Sequence, residues 1–353
     1  MRVTLPGEAA CLMTGSKSWV DTIPYLVPSG GISDPYPHDK EIHTLAHYFL
    51  DRSEAEKADL CIFGVPYDGD MPPTAMVSSR AGPDAIRNKL RPFRPYSNNL
   101  KIDISSIISL VDLGDVDTTG PGSGVLYNTQ EVLRRVEGVV SEILGRGKMP
   151  LMFGGSHTST YGAIRALCKN TKGKVGAVYF DAHLDISEEV YNDPWYDGCP
   201  VRRVLEIGSV KPKNVAIIGA RDYAQPTRQG WKFVEEAGVN VLTPDDIEDQ
   251  GIVPIVKKAI DLIKDGTDAQ YLSVDIDNLD TSAAPGGAGW PIAGGLTNRE
   301  LLKAVRMIAI AGVNGYDIME VSPHNDPTGI TACSAAAVAM EMIGGFAKTR
   351  ANR

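Results

Sequence analysis

Three short segments gather the groups able to do chemistry. Gly154-Gly155-Ser156-His157 follows the apolar run 151–153, Asp181-Ala182-His183-Leu184-Asp185 follows 178–180, and Asp275-Ile276-Asp277 follows 271–274. Together they offer four aspartates and two histidines. Four carboxylates in one cleft cannot all stay ionised unaided, because like charges raise one another's pKa. Two divalent cations remove that repulsion. A mixed imidazole and carboxylate set suits Mn, Ni, Co, Fe or Zn better than Mg or Ca, which favour all-oxygen sites. Such ions bring the pKa of a water near neutrality, so the chemistry expected is hydrolysis. Taken alone, an Asp-x-Asp or a buried histidine says little. Asp-x-His-x-Asp directly after an apolar strand says more, since burying three polar groups without partners is costly.

For these segments to meet, the runs before them must be neighbours in one sheet, with the ligands beyond the carboxyl ends of its strands. Short apolar runs at 59–65, 108–113, 149–153, 175–180, 215–219, 269–274 and 314–319 read as strands buried on both faces. Helical patterns at 128–145, 159–169, 252–262 and 299–311 lie between them. The predicted class is α/β, a three-layer α/β/α sandwich on a mostly parallel sheet. Residues 1–55 differ: Pro24, Pro28, Gly30, Gly31, Pro35 and Pro37 make an irregular arm. A short amphipathic turn or helix is predicted at 43–52, and His38, His43 and His47 read as surface residues. The division expected is an arm, 1–55, and one catalytic domain, 56–353.

The composition narrows the partners. Of 353 residues 43% are hydrophobic and 22% charged, which excludes a coiled coil, a fibre or a disordered chain. A net charge of −9 disfavours nucleic acid and suits a cationic substrate. Five scattered cysteines without CxxC spacing favour neither a disulfide framework nor a zinc–thiolate site. Apolar runs such as 307–313 fall short of a membrane span. Glu8 interrupts the N-terminal stretch, so no secretion leader is expected and the expected address is cytoplasmic.

The motifs GGSH (154–157), FDAHLDISEE (180–189), SVDIDNLDTSAAPG (273–286) and DIMEVSPHND (317–326) resemble the ureohydrolases, which include arginase, agmatinase, guanidinobutyrase, formimidoylglutamase and guanidine hydrolase. FGVPYDGD (63–70) and RAGPDAIR (80–87) add to the likeness, which runs over about residues 58–345. The resemblance implies a sheet of about eight strands and assembly as trimers or hexamers. It implies that His157 and Asp185 hold one metal, that His183 and Asp277 hold the other, and that Asp181 and Asp275 bridge them. Glu320 would grip the guanidinium group, since a carboxylate accepts two parallel N–H bonds from a planar cation.

Two positions depart from the family pattern. Ser156 stands where GGDH has an aspartate. In Tyr196-Asp197-Gly198-Cys199-Pro200, Asp197 replaces the histidine usually assigned as proton shuttle, so it is expected to relay a proton or bind a cationic group. The loop 186–197 is acidic; Glu188, Glu189, Asp193 and Asp197 would repel a substrate carboxylate. Trp195, Tyr191 and Tyr196 would cover a compact cation, and Trp290 would narrow the pocket. The character is closest to the guanidine hydrolase and metformin hydrolase branch, with two Ni2+ or Mn2+ ions. The substrate expected is guanidine, an alkylguanidine or a biguanide such as metformin. Agmatine hydrolysis is the alternative. Another class is a non-catalytic or partner-dependent subunit paired with a paralogous chain; a third, an amide deacetylase, is disfavoured by Glu320 and the second Asp-x-Asp carboxylate.

Overall fold

Eight apolar segments pair as parallel strands: β1 (Leu60–Val65), β2 (Leu110–Val116), β3 (Met149–Gly154), β4 (Val175–Phe180), β5 (Val210–Ile218), β6 (Asn240–Leu242), β7 (Ala269–Asp275) and β8 (Tyr316–Met319). Their order across the sheet is β2-β1-β3-β8-β7-β4-β5-β6. All seven pairings are parallel. This computed structural model describes residues 18–38, 41–69, 79–120, 127–221, 223, 228–287 and 292–352.

Alternation along each strand sorts the side chains into two cores. Ile62, Phe153, Val178, Phe180, Leu272, Val274 and Ile318 face a layer built from α1 (Gly82–Leu90), α6 (Pro244–Gln250), α7 (Ile252–Lys264), α8 (Asn298–Ala311) and α9 (Ile330–Ala351). Phe63, Met152, Ala177, Tyr179, Ile217 and Tyr271 face α2 (Thr129–Gly145), α3 (Ser159–Asn170), α4 (Pro200–Leu205) and α5 (Arg228–Ala237). The expected three-layer sandwich is therefore the fold.

Two differences have physical causes. The three-residue edge strand β6 is absent from the predicted elements, being too short to show a periodicity. The arm supplies two further two-residue strands: Leu26–Val27 runs antiparallel to β2, and Phe49–Leu50 runs parallel to it. The turn or helix expected at 43–52 is a 3-10 turn, Leu45–Tyr48, leading into the second of these strands. His47 accepts from the Thr44 N–H and lies 3.2 Å from Asp34, which ties it into the arm.

The expectation that every apolar run is too short for a membrane needs correcting. α9 has 22 residues and a window of mean hydropathy 1.5, long and apolar enough by length and composition to cross one. Two thirds of that window, 67%, is buried inside the fold, and its Ala and Gly residues let it pack closely on α8.

Candidate metal centre

Four adjacent strands, β3, β8, β7 and β4, end level with one another. Phe153 pairs with Ile318, Met319 with Asp275, and Val274 with Phe180. The residues just beyond these ends therefore crowd into one place. Gly155 turns the chain sharply after β3; the Tyr67 carbonyl lies where its Cβ would be, so only glycine fits. His157 is thereby delivered over the end of β4.

Three carboxylates converge on one nitrogen there. His157 Nδ1 lies 3.2 Å from Asp181 Oδ2, 3.1 Å from Asp185 Oδ2 and 3.3 Å from Asp275 Oδ2. His183 Nδ1 lies 3.0 Å from Asp277 Oδ2 and 3.5 Å from Asp181 Oδ1. None of these contacts leaves His157 Nδ1 or Asp181 Oδ2 with an aligned hydrogen bond, and both atoms are buried. Buried polar atoms that point at one another without bonding are what a cation between them would satisfy. Two ligand sets result, His157, Asp181 and Asp275 in one and Asp181, His183 and Asp277 in the other, each within 4.8 Å. Asp181 belongs to both, as a bridging carboxylate must; Asp275 falls in the first, with Asp185 beside it. All six predicted ligands thus meet, and they fit a pair of divalent ions.

The charges bear out the repulsion argument. Burial alone would suppress a charge on either histidine, but the facing carboxylates outweigh it and lift both imidazoles well above their usual pKa. Burial opposes the charge of Asp181, yet the two imidazoles hold it down to about 2. Burial, with the Asp181 charge added, pushes Asp185 up to about 7. Asp275 rises for the same reason, with Asp277 adding to the effect.

Supports beneath the cluster escaped sequence reasoning. Ser273 Oγ donates to Asp317 Oδ1 at 2.6 Å, so it accepts from His157 Nε2–H at 2.9 Å. That bond fixes the tautomer and leaves Nδ1 as the free donor atom for a metal. Thr160 Oγ1 donates to the other Asp317 oxygen at 2.8 Å. Arg221, 3% exposed, donates to the carbonyls of Asp277, Asn278 and Leu279, while its own N–H bonds the Ala182 carbonyl at 2.9 Å. Arg221 thus ties the 181–185 and 275–279 loops together, the first through its backbone N–H and the second through its guanidinium. The signal available for Ser273 and Asp317 was a polar residue inside an otherwise apolar strand.

Two ligand-loop residues have left-handed backbones, Asp185 at φ 48° and Glu320 at φ 62°. Such conformations are uncommon outside glycine and cluster at functional sites. The Asp185 carbonyl accepts from Val201 and Arg202 at the start of α4. Glu320 Oε1 accepts from the His157 N–H at 2.6 Å, and the Glu320 N–H donates to Gly155 O at 2.9 Å. Burial, then the charges of Asp197 and Asp275, raise Glu320 well above the usual carboxylate range.

The two departures at 156 and 197 prove to touch. Ser156 Oγ donates to Asp197 Oδ1, and the nearby Thr158 N–H favours the charge of that carboxylate. Burial raises Asp197 to about 6, with the Ser156 bond opposing the rise. Of the expected aromatic cover, Trp195 packs edge-on against Tyr161 of α3, with centroids 5.1 Å apart. Tyr196 is electrostatically closer to the site: burial and the charges of Asp197, Tyr191 and Glu320 push its hydroxyl up to about 12. Trp290 lies outside the described residues.

The sequence model of the arginase family matches residues 58–344. The chain belongs to the arginase family. It is 32% identical to the mitochondrial guanidino acid hydrolase of Homo sapiens over 83% of this chain and 79% of that one. It is 31% identical to guanidinobutyrase of Pseudomonas aeruginosa over 82% of this chain and 87% of that one. Among solved structures, the agmatine ureohydrolase of Thermoplasma volcanium superposes with a TM-score of 0.74 at 26% identity, covering 88% of this chain and 96% of that one. This arginase-family protein is accordingly a hydrolase of C–N bonds in amidino compounds. The family uses a dinuclear divalent metal centre, and the two residue groups that share Asp181 could hold such ions.

Proposed function

We propose that this protein hydrolyses a small guanidino compound lacking a carboxylate: guanidine, an alkylguanidine or a biguanide such as metformin. The observation that carries the reading is a pair of carboxylates, the part-buried Asp197 and the buried Glu320, each hydrogen-bonded to the turn 156–157 beside the cluster. A planar cation with N–H groups on more than one edge satisfies both; a substrate carboxylate would be repelled by them and by Glu188, Glu189 and Asp193.

In this proposal His157 and Asp185 hold one metal ion, His183 and Asp277 the second, and Asp181 and Asp275 are shared. The ions, Ni2+ or Mn2+, would lower the pKa of water to give a nucleophile near neutral pH and would stabilise developing negative charge. The rest of the work falls to side chains. Glu320, held by the His157 N–H, accepts guanidinium N–H groups through its remaining lone pairs and fixes the planar carbon over the cluster. Asp197 accepts N–H groups from a second edge, and Tyr196 covers that side. Tight orientation of a small, symmetric cation converts attack at its central carbon into an intramolecular event. The products are an amine or ammonia and urea or a substituted urea.

Assembly as a homo-oligomer, trimeric or hexameric, is part of the proposal, as is a cytoplasmic address. The alternative of a decayed, partner-dependent subunit loses support from the Ser156–Asp197 bond, because two changes that complement each other are unlike random loss. Agmatine remains the competing substrate, being a cation without a carboxylate. The deciding experiment loads purified protein separately with Mn2+ and Ni2+. It then measures urea and amine release from guanidine, methylguanidine, metformin, agmatine, guanidinobutyrate and arginine. Turnover concentrated on the first three supports the proposal; agmatine or a guanidino acid turned over far faster than all of them overturns it.

A further inference from the structure

Ser156 is fully buried between the metal-ligand turn and the substrate loop. Its N–H bonds the Tyr67 carbonyl at 2.7 Å, and its hydroxyl donates to Asp197. Asp197 also lies at the start of the 12-residue helix α3, where the Thr158 N–H and the helix dipole favour an anion. The Thr158 hydroxyl in turn donates to the Trp195 carbonyl at 3.0 Å, pinning the loop that carries Asp197 a second time. Gly69, at φ +73°, closes the pair from the far side. A Cβ there would lie 3.2 Å from Ser156 Oγ and 3.6 Å from both Asp197 oxygens. The carboxylate therefore has one seat, and a hydroxyl is the smallest side-chain donor that completes it. An aspartate at 156 would set a second negative charge directly against it; an alanine would remove its hydroxyl donor.

We propose that Ser156 is a positioning residue for substrate selection: it holds Asp197 beside Glu320, so that the site accepts a compact guanidinium ion and discriminates against longer cations. This rests on the reading of Asp197 as a substrate ligand.

The test is a double-mutant cycle on S156A, D197N and S156A/D197N, with S156T keeping the hydroxyl. Guanidinium chloride at millimolar concentration and agmatine are the probes. Readouts are KM and kcat separately, calorimetric binding of guanidinium to the metal-free protein, and metal content. For S156A we expect a KM and a dissociation constant for guanidinium about tenfold higher, the loss typical of one hydrogen bond to a charged group. Metal content should be unchanged, and agmatine should gain relative to guanidine in kcat/KM. S156T should recover most of the loss, and S156A/D197N should be no worse than D197N. Additive effects of the two substitutions, loss of metal from S156A, or a fall in kcat at constant KM each overturn the proposal. Should wild-type protein turn over agmatine best, the substrate reading fails separately. The coupling of positions 156 and 197 in guanidinium binding still decides whether Ser156 positions Asp197. If S156A does not fold, the same coupling is read from S156C against D197N, with S156T as the rescue.

Discussion

Replacing Asp197 by Asn removes a charge that the fold holds against its own stability. Burial lifts this carboxyl from 3.8 to about 6, which corresponds to about 3 kcal/mol against the ionised form at neutral pH. Asn keeps an acceptor for the Ser156 hydroxyl, so that hydrogen bond survives while the part-buried charge goes. Metal-free D197N should therefore be more stable than wild type at about pH 8, by up to about 3 kcal/mol. The pH dependence has a definite sign. Because the folded pKa lies above the unfolded value, the native protein takes up a proton first as pH falls. Wild type then gains stability through the window from about 6 down to about 4, and the advantage of D197N shrinks to nothing across it. Urea unfolding of chelator-treated protein, followed by circular dichroism at constant chain concentration, measures the difference at each pH. Guanidinium binding should weaken about tenfold or more in the same variant, the loss of a charge-assisted contact. A variant no more stable than wild type at neutral pH, or a difference that does not change with pH, refutes the reasoning.

Asp181→Asn removes the carboxylate common to both ligand sets, so metal content by mass spectrometry should fall below one ion per chain and urea release should cease; two retained ions would contradict the shared role. Ser273→Ala takes away the acceptor that fixes the His157 tautomer. It should weaken metal affinity about 10- to 100-fold without unfolding the chain, as competition with a chromogenic chelator would report. Arg87→Ala leaves Asp112 and Asp115, bonded to Arg87 at 2.8 and 2.7 Å, without their buried partner. A loss of about 3–5 kcal/mol is expected by urea unfolding, and a loss under about 1 kcal/mol would show that solvent reaches the pair.

Chemistry placed directly after apolar runs was the legible part of the sequence. Val178 to Phe180, with Asp181, His183 and Asp185 next in the chain, states both the strand and the cost of burying the polar groups at its end. Ser273 and Asp317 could have been found by the same logic, as polar residues within the strands. The Ser156–Asp197 bond joins residues 41 apart in sequence, and no local pattern encodes a meeting set by sheet order. The arm was legible as irregular, but its pairing with β2 depends on backbone hydrogen bonds at an exposed edge, which are indifferent to side chain. Nor does any spacing announce that Asp185 and Glu320 need left-handed backbone.

Those two backbones set a cost against the carboxylates they carry. A carboxylate residue with φ near 50–60° costs about 1–3 kcal/mol. Glycine at 185 and 320 would relieve it. The chain still holds Asp at one and Glu at the other. The strain at these two positions is thus a cost with no return to stability, and it argues that both carboxylates are in use.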